Sequence, residues 1–130
     1  MLSSHFENDK AHGEEREYYE SGKLYRVSHF KNGLEEGREV FYYENGKKKF
    51  EIDYRFGQWH GTYKAYYENG EPKYERSYQS GLFCGNMKEW SDEGFLEVTV
   101  ECEACREQCV MREYNELGQV EEIYEAVVPE

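Results

Sequence analysis

Apolar and charged residues alternate along residues 48–54. Phe50, Ile52 and Tyr54 occupy every second position, and charged side chains fill the positions between them. Such alternation indicates a β-strand with one packed face and one wet face. Similar segments recur along the chain, and no stretch of more than a few residues shows a helical period. We therefore predict two strands in each repeating segment, called the A strand and the B strand in chain order. The A strands lie at 38–43, 62–67 and 86–91, and the B strands lie at 48–54, 72–78 and 96–102.

Glycine recurs at a spacing of 24 residues, and all 12 glycines of the chain obey it. They fall into three series, namely Gly22, Gly46, Gly70, Gly94 and Gly118; Gly13, Gly37, Gly61 and Gly85; and Gly33, Gly57 and Gly81. A fixed period of this size indicates tandem structural repeats, each of which contacts only its neighbours.

Asn-Gly pairs at 45–46 and 69–70 lie between an A strand and the following B strand. Both residue types tolerate positive φ, so the pair predicts a hairpin closed by a type I′ turn. One hairpin per unit gives an all-β fold, a single-layer antiparallel β-meander of tandem 24-residue β-hairpin repeats in an elongated rod. We predict one repeat domain over 1–130, with units at 13–36, 37–60, 61–84 and 85–108 and partial units at about 1–12 and 109–130.

The segment Tyr-Tyr-Glu-Asn-Gly-Lys at 42–47, together with the periodic loop glycines, resembles MORN-type repeats. It is most similar to the bacterial variant of YwqK-type proteins, which are often described as antitoxins. The resemblance covers most of the chain and is strongest over 13–84. It implies stacked hairpins and a binding or antitoxin role, and it carries no catalytic residues.

Negative charge is concentrated at the C-terminal end of the chain. The formal net charge is −12, and residues 85–130, the acidic lobe, account for −10 of it. Within this lobe the strand register places four glutamates on one solvent-side face: Glu97, Glu101, Glu121 and Glu125. They form either a solvated surface that keeps the sheet soluble or a docking surface for a basic protein.

The charge also bounds the kinds of partner. No basic stripe is present to neutralise phosphates, so we expect no nucleic acid, and a negative surface makes membrane binding unlikely. We predict a protein partner, a basic toxin or effector, with Tyr43, Tyr67 and Trp90 as aromatic anchors. A structural or scaffold module that docks to a membrane or a larger assembly is the alternative. An open meander has free edges, so a homodimer through an edge strand is a further possibility.

Four cysteines cluster in the lobe and the loop before it: Cys84, Cys102, Cys105 and Cys109. Four thiolates could hold a structural zinc ion, or they could pair, or they could stay reduced in a degenerate loop. The loops of Cys84 and Cys109 should lie about two strands, roughly 10 Å, apart, which is too far for a disulfide. A cytoplasmic location also disfavours disulfides.

The sequence holds no signature of catalysis. No nucleophile elbow, phosphate loop or metal-binding histidine pair occurs, and a single-layer sheet offers no deep pocket. We therefore expect no enzyme and no cofactor apart from the zinc considered above. No apolar run is long enough for a transmembrane helix or a signal peptide, so we expect a soluble cytoplasmic protein.

Overall fold

The computed structural model describes residues 2–3, 6–7 and 10–126, and these form antiparallel β-structure without a helix. The strands are β1 (Leu2–Ser3), β2 (Phe6–Glu7), β3 (Lys10–Ala11), β4 (Gly13–Tyr18), β5 (Leu24–Lys31), β6 (Leu34–Glu35), β7 (Gly37–Tyr42), β8 (Lys48–Arg55), β9 (Gln58–Trp59), β10 (Gly61–Tyr66), β11 (Pro72–Gln79), β12 (Leu82–Trp90), β13 (Leu96–Ala104), β14 (Glu107–Tyr114) and β15 (Val120–Ala126). No helix that could span a membrane occurs among the described residues.

The long strands follow one another across one open sheet in chain order. The sheet runs β1-β4-β5-β7-β8-β10-β11-β12-β13-β14-β15, with the short strands β6 and β9 paired beside β5 and β8. Each 24-residue unit therefore contributes one hairpin, and the predicted fold class is confirmed. The predicted B strands differ from β8, β11 and β13 by at most two residues at one end. The partial units at 1–12 and 109–130 lie partly outside the described residues.

The predicted type I′ turns at Asn-Gly are wrong. The amide of Gly46 donates to the carbonyl of Tyr43 (3.0 Å), and the amide of Tyr43 donates to the carbonyl of Lys47 (2.8 Å). Gly46 has φ of +87°, whereas Asn45 is not among the residues with positive φ. This is a type I turn followed by a left-handed glycine. The Asn45 side chain explains the choice, because its Oδ1 accepts the Lys47 amide at 2.9 Å.

Type I′ geometry occurs instead at the other end of the hairpins, in the loops from a B strand to the next A strand. Both central residues have positive φ at Asn32-Gly33, Phe56-Gly57 and Ser80-Gly81. The loop at 105–106 differs, since only Arg106 is left-handed (φ +61°). The fourth B-to-A loop has therefore changed its backbone together with its sequence.

The thin core lies on one face of the sheet, here called the packed face. Ile52 is 1% exposed, Val100 is 6% exposed and Ser28 is completely buried. Rings stack across successive strands on this face, with centroid distances of 4.3 Å for Phe41–Phe50 and 5.5 Å for Phe50–Tyr63. Aromatic packing between neighbouring hairpins therefore provides much of the burial that a second layer would supply in a sandwich.

Candidate functional site

The four predicted glutamates lie on the face opposite the packed face. Glu101 is opposite Val110, which is opposite Glu125, so β14 separates the two acidic strands. Alternation along β13 and β15 brings Glu97 and Glu121 to the same side. All four glutamates are exposed. The structure thus brings the predicted residues onto one surface, which we call the acidic face.

Charge compensation ends where the acidic face begins. Across the middle of the sheet the facing residues alternate in sign on this side, in the order Glu51, Lys64, Glu75 and Lys88. Beyond Lys88 the row continues through Thr99 to Arg112, which lies 3.7 Å from the Glu101 carboxylate. In the described part of the chain, Glu97, Glu121 and Glu125 have no ion pair. Their charge is therefore available to an outside cation.

Glu51 shows what the same side of the sheet does in the middle repeats. Its carboxylate is buried, accepts a hydrogen bond from the Tyr66 hydroxyl (2.8 Å) and pairs with Lys48 (3.1 Å). Burial acts to raise the pKa of Glu51, and the hydrogen bonds and cations outweigh it, so that the pKa lies below its usual value. The Glu51 carboxylate in the middle of the sheet is thus neutralised from within, unlike those of Glu97, Glu121 and Glu125.

A groove between the last two turns adds further carboxylates beside Glu97. It measures about 190 Å³, and its walls include Phe95, Asp92, Glu93 and Glu116. At one earlier junction the Lys47 ammonium bridges the corresponding turns by donating to the Asn69 carbonyl at 2.9 Å. The sequence analysis missed this groove. A similar groove lies beside Lys23 in an earlier unit, so the column of Lys23, Lys47, Glu71 and Phe95 gave no signal for it.

Two of the three predicted aromatic anchors tie neighbouring repeats together. The hydroxyl of Tyr43 donates to the Tyr66 carbonyl at 2.7 Å, and that of Tyr67 donates to the Trp90 carbonyl at 2.8 Å. Tyr19 makes the same bond to the Tyr42 carbonyl at 2.6 Å. We call these contacts tyrosine ties. They give Tyr43 and Tyr67 a structural role, and their role as anchors stays a prediction.

The anchors also differ in how close they lie to the acidic face. Burial, followed by the carboxylates of Asp92 and Glu97, raises the pKa of Tyr67, so this ring borders the lobe. Trp90 is half-buried and pairs with Leu96 beside Glu97. Tyr43 lies two units before Trp90 in the repeat series. Trp90 and Tyr67 are therefore the two anchors that the structure brings to the acidic face.

The cysteines form two disulfides, Cys84–Cys105 and Cys102–Cys109. This differs from the expectation that distance and compartment disfavour pairing. The distance considered there joined Cys84 to Cys109, whereas the register places Cys102 directly opposite Cys109, with Cα atoms 4.0 Å apart. No group of three or more metal-ligating side chains is arranged around a common point in the described residues. The zinc site stays a prediction for the reduced protein.

Buried acids also occur on the packed face, far from the acidic lobe. Burial, followed by the neighbouring Glu39 carboxylate, raises the pKa of Glu35 to about 7. Glu39 is held by Arg26 (2.9 Å) and by the Tyr54 hydroxyl (3.2 Å), which in turn accepts the Trp59 indole N–H at 3.0 Å. These contacts fix Glu39 between strands and suit structural support, whereas the buried Oε2 of Glu35 has no hydrogen-bond partner among the described residues.

Comparison with known families identifies the repeats. Residues 11–32, 35–55 and 59–80 match the family described as MORN repeat variant, and together they make up half of the chain. Each matched segment includes one A strand and most or all of the following B strand. A comparison with curated proteins gives no match.

Proposed function

Because this chain belongs to the MORN repeat variant family, we propose that it is a non-catalytic protein-binding module of the antitoxin or immunity type. Tandem repeats of this kind indicate a repeat-based binding or scaffold module, since stacking builds an extended surface. The finer assignment is our own. The partner is a basic protein, a toxin or effector, and it docks on the acidic face.

The observation that carries this proposal is the set of exposed carboxylates that lack a cation. Glu97 projects from β13 and Glu121 and Glu125 project from β15, two strands away on the same face, without an ion pair in the described part of the chain. Like charges held this close on a sheet disfavour the fold slightly, and a cationic partner relieves that repulsion. Complementary charge also accelerates encounter, in a manner that salt weakens.

The binding experiment measures fluorescence anisotropy of a labelled decalysine peptide at low and at high salt. The test variant changes the four acidic-face residues Glu97, Glu101, Glu121 and Glu125 to Gln. The matched control makes the same charge change at four exposed acids of other repeats, Glu20, Glu44, Glu68 and Glu71. We expect the test variant to raise Kd at least tenfold and the control to raise it less than threefold. Equal effects would show that only net charge matters and would refute the site.

The immunity role needs a separate experiment. The product of the neighbouring reading frame is expressed in a host with and without this chain. Growth arrest that the native chain relieves and the four-glutamine variant does not relieve supports the proposal. A neighbour that is harmless, or rescue that ignores the acidic face, contradicts the immunity role while leaving the binding result intact.

A second candidate, a scaffold module that docks to a membrane or a larger assembly, is favoured by a different surface. Three successive B-to-A loops expose apolar side chains, namely Leu34 (49%), Phe56 (71%) and Leu82 (54%). These loops stack, since the Gly57 amide donates to the Glu35 carbonyl and the Gly81 amide donates to the Trp59 carbonyl. Flotation with anionic vesicles tests this candidate. If the scaffold function is correct, Phe56→Ser should reduce the fraction of protein that floats with the vesicles.

A further inference from the structure

The last tyrosine tie ends on Trp90, and none follows within the described part of the acidic lobe. The ties join units at one end of the sheet through Tyr19, Tyr43 and Tyr67, each to a carbonyl 23 residues later. One period after Tyr67 the residue is Ser91, whose Oγ accepts the Phe95 amide of its own turn at 3.1 Å. The last hairpin therefore lacks the tie that the earlier repeats possess.

Backbone pairing is also incomplete at the other end of the lobe. β12 and β13 reach Leu82 and Ala104, but their paired residues end at Met87 and Val100. Beyond that point the Cys102 amide donates to the Asn86 side chain (2.7 Å) instead of a backbone carbonyl. Strand pairing alone thus holds only part of this junction.

One disulfide lies beside the incomplete β12–β13 ladder, and the other lies in the fully paired β13–β14 hairpin. Cys84 in β12 is joined to Cys105 in the loop between β13 and β14, and Cys102 is joined to Cys109 across those two strands. The Arg106 amide donates to the Cys84 carbonyl at 2.7 Å, beside the first of these bonds. Cys84 and Cys109 are both buried. The covalent bonds connect three consecutive strands, β12, β13 and β14.

We propose that the two disulfides replace the tyrosine ties in the acidic lobe, so that a thiol reductant releases the lobe while the earlier repeats stay folded. A dithiol reductant opens each bond by two successive thiolate attacks. Its own two thiols become a disulfide, and the protein gains two thiols, so two electrons and two protons move per bond. The proposal concerns the order of the lobe and does not depend on which partner binds there.

This proposal also bears on where the protein works. Disulfides persist in oxidising compartments and are rare in the cytoplasm, where thiol systems keep cysteines reduced. The sequence predicted a cytoplasmic protein, and in that compartment the lobe would exist in its released form. The oxidised form, with an ordered acidic face, belongs to an oxidising environment.

Hydrogen exchange of the full chain, measured by mass spectrometry with and without dithiothreitol, tests the proposal. Peptide mapping without reductant first verifies the two pairings, and any other pairing overturns it. On reduction we expect exchange in residues 96–114 to rise at least tenfold, whereas exchange in residues 37–66 changes less than twofold. An even rise along the chain, or no rise, overturns the proposal.

Two serine variants separate the bonds. Cys84→Ser with Cys105→Ser should accelerate exchange in the lobe more than Cys102→Ser with Cys109→Ser. The first bond holds β12 to the β13–β14 loop where strand pairing is incomplete, whereas the second lies within a fully paired hairpin. Equal acceleration would contradict the assigned role of the first bond. The variant with all four serines should be insensitive to dithiothreitol. If a variant fails to fold, the native chain, reduced and then alkylated, still tests whether loss of both bonds releases the lobe while residues 37–66 stay protected.

Discussion

Replacing Ile52 by Ala measures how much a single-layer sheet depends on its packed face. Ile52 is 1% exposed at the centre of the sheet, and Ile123 is 61% exposed in the last strand. The substitution removes about three carbon groups at roughly 0.8 kcal/mol each, so the transfer contribution at Ile52 is about 2.4 kcal/mol. The residual cavity adds to this, and we expect a total of about 3 kcal/mol.

Ile123→Ala is the matched control. It makes the same chemical change and carries the same loss of strand preference, up to about 1 kcal/mol, without the loss of a buried site. The strand-preference loss is common to both variants and cancels, but the covered part of Ile123, which is 61% exposed, still loses up to about 1 kcal/mol of transfer free energy, so the difference between the two variants should be about 2 kcal/mol. Equilibrium urea unfolding followed by tryptophan fluorescence measures it, since Trp59 contacts the ring of Tyr63 (5.3 Å between centroids) in the same region. Equal losses of unfolding free energy would refute the assignment of the core to this face.

Three further changes test other parts of the structure. Tyr43→Phe removes the hydroxyl that donates to the Tyr66 carbonyl and should cost about 1 kcal/mol of unfolding free energy in urea titrations. The control Tyr25→Phe should cost nothing measurable. Equal costs for the two variants would argue against the tie. Glu35→Gln should stabilise the protein by about 1 kcal/mol at pH 8, after discounting for solvent exposure, and change nothing at pH 4. The reason is that the folded-state pKa of Glu35 is raised to about 7. The contribution of this group to stability is therefore complete below its unfolded-state pKa and is lost as pH rises towards 7. A stabilisation by Glu35→Gln that is independent of pH would refute this. Elemental analysis of the protein after reduction and zinc addition tests the zinc prediction. A structural site fills nearly stoichiometrically, so fewer than about 0.2 zinc ions per chain would refute it.

The period and the alternation determine most of this fold in advance. Phe50, Ile52 and Tyr54 specify one face of a strand, and a spacing of 24 residues specifies where its equivalents lie. Strand positions and register follow, because a shift of one residue would turn each of these side chains to the wrong face. The start of β12 did not follow, since it lies at Leu82, four residues before the predicted start. The turn type did not follow, since Asn45 bonds to its own turn through its side chain.

The disulfides could have been predicted from the hairpin register and were not. Cys102 and Cys109 are equidistant from the two-residue turn at 105–106, which places them opposite each other. The comparison of Cys84 with Cys109 considered the wrong pair. The tyrosine ties are different: the column of Tyr19, Tyr43 and Tyr67 is visible in the sequence, but the direction of each hydroxyl depends on how far adjacent turns are offset.

Every tyrosine tie joins a repeat only to the one that follows it. The same donor and acceptor atoms recur at the three junctions between Tyr19 and Trp90. An additional copy of the unit could therefore insert between two of these units and form both of its contacts. A chain lengthened in this way would keep its local structure and would move the acidic face about 10 Å farther from the first hairpin. Length variation of this kind offers evolution a means to adjust the separation between two bound partners without redesigning either surface.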